Sequence, residues 1–124
     1  MPENVEIVLP TGDLKKLAFW SGIWRGVWKD AMPNPMEFVF TVEKISSLKK
    51  MEIGYATEVA STISNYSRAP GKISGDGKKI EISMFRGERL LILVFEMMED
   101  GTLKGSGDID GWKWHATNIK NKLE

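Results

Sequence analysis

Few side chains in this 124-residue chain combine a reactive group with a setting in which it could do chemistry. Glu96 lies within the apolar stretch Leu90–Met98, where burial would raise the pKa of its carboxyl group and suit it to general acid or base catalysis. Tyr55 could transfer a proton or orient a ligand, and Asn65 could orient one through its amide. His115 is the only histidine, and its imidazole is a potential haem ligand.

Composition excludes several classes of function. The chain has no cysteine, which rules out disulfides, thiol nucleophiles and cysteine-bound metals, and we predict no metal site. The 17 basic and 17 acidic residues are interspersed, so no basic face indicates nucleic-acid binding. No stretch reaches the roughly 18 apolar residues of a membrane span. Because residues 1–10 do not resemble a signal peptide, we expect a cytoplasmic protein, or a secreted one if a signal peptide has been removed.

The elements that must position these groups are β-strands. Apolar and polar residues alternate over segments 36–45, 51–59, 79–85 and 102–109, which is typical of antiparallel strands with one buried face. Turn signals separate the segments. They include three Asp-Gly pairs, favoured in two-residue hairpins because both central residues of a type I′ turn have positive φ, and a further turn predicted at Ala69–Gly71.

The stretch Leu90–Met98 is apolar on both faces and therefore needs a cover outside the sheet. A short helix at Thr11–Phe19, with Thr11 as its N-cap, could supply the cover; the interface of a homodimer is the alternative. The same ambiguity affects Glu96. It faces the interior if Leu90 does, and faces outward if Leu91 does, and alternation does not decide between the two.

Eight short strands in sequence order close most simply into a barrel, because closure removes the sheet edges. We therefore predict an all-β protein, a single closed antiparallel up-and-down β-barrel of about eight strands with a short N-terminal helical turn. Residues 1–124 would form one domain, with residues 1–11 as an extension and 12–120 as the barrel.

The most specific motif lies at Phe19–Trp28, where Trp20, Gly22, Trp24, Gly26 and Trp28 are predicted to share one face of a strand. Glycines at alternate positions leave room for large indole rings and for strong bending of the strand. In such an arrangement Trp24 would plug a closed end of the barrel, and Trp28 would reach the cavity.

This motif resembles the start of calycin-type barrels, which include the lipocalins and fatty-acid-binding proteins, where a short helix precedes Gly-x-Trp as in Gly22-Ile23-Trp24. The longer tryptophan–glycine repeat followed by Phe40–Ile45 is similar to uncharacterised bacterial lipocalin-like domains, and the late Asp100–Leu103 is a further similarity. The likeness covers about residues 12–120. It implies a barrel that carries small molecules, holds haem or catalyses isomerisation.

Haem binding is suggested by a weaker resemblance to nitrobindins, which place a haem-ligating histidine in their last strand. Alignment on Ala116-Thr117 would put Lys113, not His115, at the ligand position. Strand alternation also opposes the role, since His115 faces outward if Trp114 faces inward. We therefore predict no haem and no other cofactor.

Three functions follow, in order of preference. The first is binding of a small hydrophobic or aromatic molecule inside the barrel, the second a cofactor-free cyclase or isomerase using Glu96 or Tyr55, and the third a packed barrel that acts as an interaction module. The residues predicted to line the cavity are Trp28, Phe38, Phe40, Tyr55, Asn65, Ile82, Met84, Trp112 and Trp114.

Overall fold

A computed structural model describes residues 7–29, 36–47, 50–59, 62–74, 76–86 and 88–121; the side chains at 58, 59, 62–66 and 86 lie outside the description. A 3-10 helix at Gly12–Trp20 precedes eight strands: β1 Gly22–Trp28, β2 Met36–Ser47, β3 Lys50–Val59, β4 Thr62–Ile73, β5 Lys79–Arg86, β6 Arg89–Met97, β7 Leu103–Ile109 and β8 Trp112–Asn121. Each strand pairs antiparallel with the next, and β8 returns to β1. The predicted closed up-and-down barrel with a short N-terminal helix is confirmed.

The 3-10 helix closes one end of the barrel. The indole Nε1 of Trp20 donates to the carbonyl of Gly77 at 2.8 Å, and the side chain of Leu17 lies against the same glycine. Trp24 Nε1 donates to the carbonyl of Trp20 at 2.9 Å, which places Trp24 next to the helix. The helix-covered end is therefore the closed end of the barrel that Trp24 was predicted to plug. Two details differ from the prediction: Trp20 ends the helix instead of belonging to a strand, and Thr11 makes no side-chain cap.

The orientation of β6 decides the position of Glu96. Leu91, Leu93 and Phe95 are buried inside the barrel, while Glu96 faces outward. Because the helix lies at the end of the barrel, it leaves Leu90, on the outer face of β6, 42% exposed. The helix is therefore not the predicted cover of that face, and the dimer alternative stays a prediction.

The barrel wall is interrupted at two places. β4 and β5 pair only over Gly71–Ile73 and Ile80–Ile82 among the described residues. The ladder stops beside Pro70, which has no N–H to donate. The turn predicted at residues 69–71 is wrong, since β4 continues through these positions. The second interruption lies between β1 and β8 and forms a groove on the outer surface.

The three Asp-Gly pairs all lie in turns, but only one has the type I′ signature. Asp110 and Gly111 have φ of 53° and 84°, whereas in the other two pairs only the glycine is positive. In those two turns, at Asp76 and Asp100, the aspartate side chain instead accepts a hydrogen bond from the backbone N–H two residues later. In the described part of the chain, no helix is long and apolar enough to cross a membrane.

Candidate functional site

A column of aromatic rings runs through the interior from the helix-covered end. We call it the aromatic column; successive ring centroids lie 4.1 to 6.4 Å apart in the order Trp20, Trp24, Phe40, Phe95, Phe38, Trp28 and Trp114. Two contacts are stacked closely, Phe40 on Phe95 at 4.1 Å and Phe38 on Trp28 at 4.3 Å. Such offset contacts contribute about 0.5–1.5 kcal/mol each beyond the burial of area. The half of the barrel near the helix is therefore solidly packed.

One polar pair lies within this apolar interior. Trp28 Nε1 donates to the hydroxyl oxygen of Tyr55 at 2.7 Å, and both side chains are buried. β1 and β3 carry these residues on their inner faces, as the alternation predicts for both. Because Tyr55 is the one ionisable side chain among the described residues that face inward, the interior offers hydrogen bonding more readily than acid–base chemistry.

Trp114 supplies a third polar group on the same side of the interior. Its ring meets Trp28 edge-on, with centroids 6.3 Å apart, and it lies over Gly107 of the neighbouring strand. Its Nε1 is buried and has no hydrogen-bond partner among the described residues. An unpartnered buried N–H costs about 1–3 kcal/mol, so this group calls for an explanation.

The other predicted lining residues fall into two groups. Phe38, Phe40 and Ile82 are fully buried, and Phe40 is stacked between Trp24 and Phe95, so these side chains form the packed core. Met84 is inward-facing and slightly exposed, while Trp112 is 55% exposed at the rim. The side chain of Asn65 lies outside the described part of the chain, although its backbone belongs to β4; its role stays a prediction.

Glu96 and His115 both lie on the outer surface. The Glu96 carboxylate faces Lys79 at 3.9 Å and is part of a shallow outer groove of about 300 Å³ that His115 also lines. Of the two orientations that alternation allows, Glu96 therefore has the one that takes it out of interior catalysis. His115 faces outward, as alternation predicts, and cannot ligate a group held inside the barrel.

Four of the residues predicted to line the cavity lie in the half of the barrel away from the helix, which we call the far half: Trp28, Tyr55, Met84 and Trp114. Here the wall between β4 and β5 is interrupted. Ala69 and Met84 are the first inward-facing residues beyond the end of their ladder, and each is 8% exposed. The far half thus combines apolar surface, three polar groups and a break in the wall.

Trp114 was predicted to line the cavity, but the sequence did not indicate that its N–H would lack a partner in the described part of the chain. Gly107 could have indicated where the Trp114 ring lies. An inward-facing glycine on β7 leaves space that the indole of the paired residue on β8 can occupy. What no sequence pattern shows is whether the N–H then meets an acceptor.

We compared the chain with protein-family models, with curated proteins and with solved structures, and none of the three comparisons gave a match. The closed eight-stranded barrel is compatible with a calycin-like architecture.

Proposed function

We propose that this chain binds a small, mostly apolar molecule bearing one hydrogen-bond acceptor in the far half of the barrel. The observation that carries the proposal is the indole N–H of Trp114, which is buried beside the Trp28–Tyr55 hydrogen bond and has no partner among the described residues. A ligand carbonyl or ether oxygen at this position would accept from Trp114. The ligand would thereby recover the cost of leaving a buried donor unsatisfied.

Affinity would come mainly from apolar burial. Each Å² of ligand surface removed from water against Met84 and the aromatic rings contributes roughly 25 cal/mol. The polar groups would set orientation, as is usual in apolar small-molecule sites with few polar groups. The interrupted ladder between β4 and β5 would be the entrance, since Ala69 and Met84 already have slight solvent contact there.

The resemblance to calycin-type barrels supports the same proposal. Proteins of that class carry small hydrophobic molecules in a barrel of this architecture, and the Gly22-Ile23-Trp24 motif lies at the equivalent start of β1. Fold likeness alone does not define function, so the proposal depends on the far half of the barrel.

The sequence offered two catalytic groups for a cyclase or isomerase, Glu96 and Tyr55, and the structure leaves only one of them inside the barrel. With Glu96 outside the barrel, Tyr55 would be the proton donor or acceptor. The stacked rings of Trp24, Phe40 and Phe95 favour the packed-barrel alternative, because they fill the half of the interior near the helix. Binding of a probe in the far half separates the carrier from the packed barrel.

The test uses two neutral naphthalene fluorophores. One, 6-propionyl-2-(dimethylamino)naphthalene, has a carbonyl acceptor; the other, N-phenyl-1-naphthylamine, has none. We expect Trp114→Phe, which keeps an aromatic ring and removes the N–H, to weaken binding of the ketone about tenfold, consistent with loss of roughly one hydrogen bond. Binding of the amine should change little. Trp112→Phe, at the exposed rim, is the matched control.

If wild-type protein binds neither fluorophore, the packed-barrel interpretation is correct and the carrier proposal is wrong. Equal weakening of both fluorophores by Trp114→Phe would show loss of packing, not of a hydrogen bond. Thermal unfolding of each variant establishes that the barrel remains folded.

A further inference from the structure

The second interruption of the wall forms a groove on the outer surface. β1 and β8 pair at Trp24–Asn121 and Arg25–Lys120, and again at the isolated bridge between Lys29 and His115. Between these points the described residues of the two strands form no ladder pairs. A groove of about 590 Å³ lies there, lined by Arg25, Gly26, Val27, Lys29, Glu37, Phe38, Thr117, Asn118 and Lys120.

A local distortion of β8 accounts for the interruption. Asn118 has φ of 55°, a left-handed conformation that side-chain-bearing residues seldom adopt. This conformation breaks the inward–outward alternation of β8. Thr117 and Asn118 are therefore both exposed, and Ile119 points back into the core. The strand therefore presents two consecutive polar side chains to the groove, where a regular strand would present one.

The rim of the groove is cationic. Arg25, Lys29 and Lys120 line it, while Glu37 is the one carboxylate among its described lining residues. This excess of positive charge occurs in a chain whose formal net charge is zero, so the groove is a local cationic site on a neutral protein. A partly enclosed cluster of one sign concentrates ions of the opposite sign.

The floor of the groove is apolar. Gly26 has no side chain, and the Phe38 ring and Ile119 come within 2.8 Å of where a Cβ atom would lie. Phe38, a residue of the aromatic column, lies behind Gly26 and is almost fully buried, so it closes the floor of the groove from inside the barrel without offering contact surface. Val27 adds apolar surface and is 39% exposed.

We infer that this groove is a second binding site, for a small amphipathic anion with an apolar or aromatic body and one carboxylate, sulfonate or phosphate group. The body would lie on Val27 and on the bare backbone of Gly26, and the anionic group would lie between the ammonium groups of Lys29 and Lys120. The inference goes beyond the carrier proposal, because this ligand is charged and is held on the outer wall.

The test compares 8-anilinonaphthalene-1-sulfonate with N-phenyl-1-naphthylamine, which has the same aromatic skeleton without the sulfonate. The test variant is Lys29→Met with Lys120→Met, which removes both ammonium groups and keeps chain length. We expect it to raise the dissociation constant of the sulfonate at least tenfold and to leave that of the amine unchanged. Raising the salt concentration should weaken the sulfonate complex of the wild-type protein and have little effect on that of the double variant.

Lys113→Met is the matched control, since Lys113 is an exposed lysine of the same strand outside the groove lining. Equal effects of Lys113→Met and the double variant, or no effect of the double variant, would overturn the inference, because the sulfonate would then respond to general charge or bind elsewhere. Near-UV circular dichroism shows whether the double variant retains native packing. Failure of this test leaves the carrier proposal intact, because that proposal depends on Trp114 and a neutral ketone.

Discussion

The indole groups of the interior differ in what their N–H donors meet. At the helix-covered end, Trp20 and Trp24 donate to backbone carbonyls at 2.8 and 2.9 Å. Further along, Trp28 donates to the Tyr55 hydroxyl, and Trp114 has no partner among the described residues. Hydrogen bonding is thus complete at one end of the aromatic column and incomplete at the other, which is where the proposed ligand would bind.

Residue type and alternation were sufficient to predict the inward positions of Trp28 and Tyr55, but not their hydrogen bond. They lie 27 positions apart in the chain and meet because the barrel closes. The orientation of Glu96 could not be predicted, because both faces of β6 carry apolar side chains and alternation then has no polar face to mark the outside.

Ser74 and Asp76 provide a prediction on pH dependence at the scale of single residues. The hydroxyl of Ser74 and the backbone N–H of Lys78 donate to the Asp76 carboxylate and hold its pKa below the ordinary value of 3.8. Because the pKa is lowered in the folded state, the stabilisation is present above pH 3.8 and is lost as the pH falls through the folded value.

We expect Ser74→Ala to raise the pKa of Asp76 toward 3.8, as followed by NMR titration of its carboxyl carbon. Asp100 is an internal control. Its pKa is lowered by hydrogen bonds from Thr102 in a separate turn, so it should not change. An unchanged Asp76 pKa would mean that the Ser74 hydroxyl is not what stabilises the carboxylate.

At the scale of elements, glycines allow neighbouring strands to carry large rings. The space over Gly26 is filled by Phe38 and Ile119, and that over Gly107 by the indole of Trp114. The sequence led us to expect that the glycines of β1 make room for the tryptophans of the same strand. The structure shows that Gly26 makes room for side chains of the adjacent strands β2 and β8 instead.

Gly107→Ala tests this role. An added Cβ would come within 2.3 Å of Trp114 Nε1, so the indole must move. We expect about 1–3 kcal/mol of destabilisation from overpacking, measured by urea unfolding, and weaker binding of the ketone fluorophore. Ser106→Ala, at the neighbouring outward-facing position, should have little effect on either measurement. Wild-type stability in Gly107→Ala would contradict the packing of Trp114 on this glycine.

The strands were predictable from alternation, but the two interruptions of the wall were not. Ala69-Pro70-Gly71 has the composition of a turn, yet Pro70 is accommodated in β4 where the ladder to β5 ends. Asparagine adopts left-handed φ more readily than most residues, but nothing in the alternation of β8 marks Asn118 as a position that does so. Where two strands stop pairing depends on both of them, so the pattern of one segment does not locate the interruption.

At the scale of the whole molecule, the barrel is asymmetric. The helix and the closely stacked rings of Trp24, Phe40 and Phe95 fill one half, while the far half contains the polar groups and the interrupted wall between β4 and β5. The cationic groove lies on the outer surface across the β1–β8 seam.

The most direct test of the carrier proposal is a ¹H–¹⁵N spectrum of the tryptophan indole groups during titration with 6-propionyl-2-(dimethylamino)naphthalene. Trp114→Phe assigns the Trp114 signal by its disappearance. We predict that this signal moves downfield on saturation, because its N–H gains an acceptor, while the Trp24 signal, already bonded to a backbone carbonyl, stays in place. An unmoved Trp114 signal at saturating ketone would contradict the proposal.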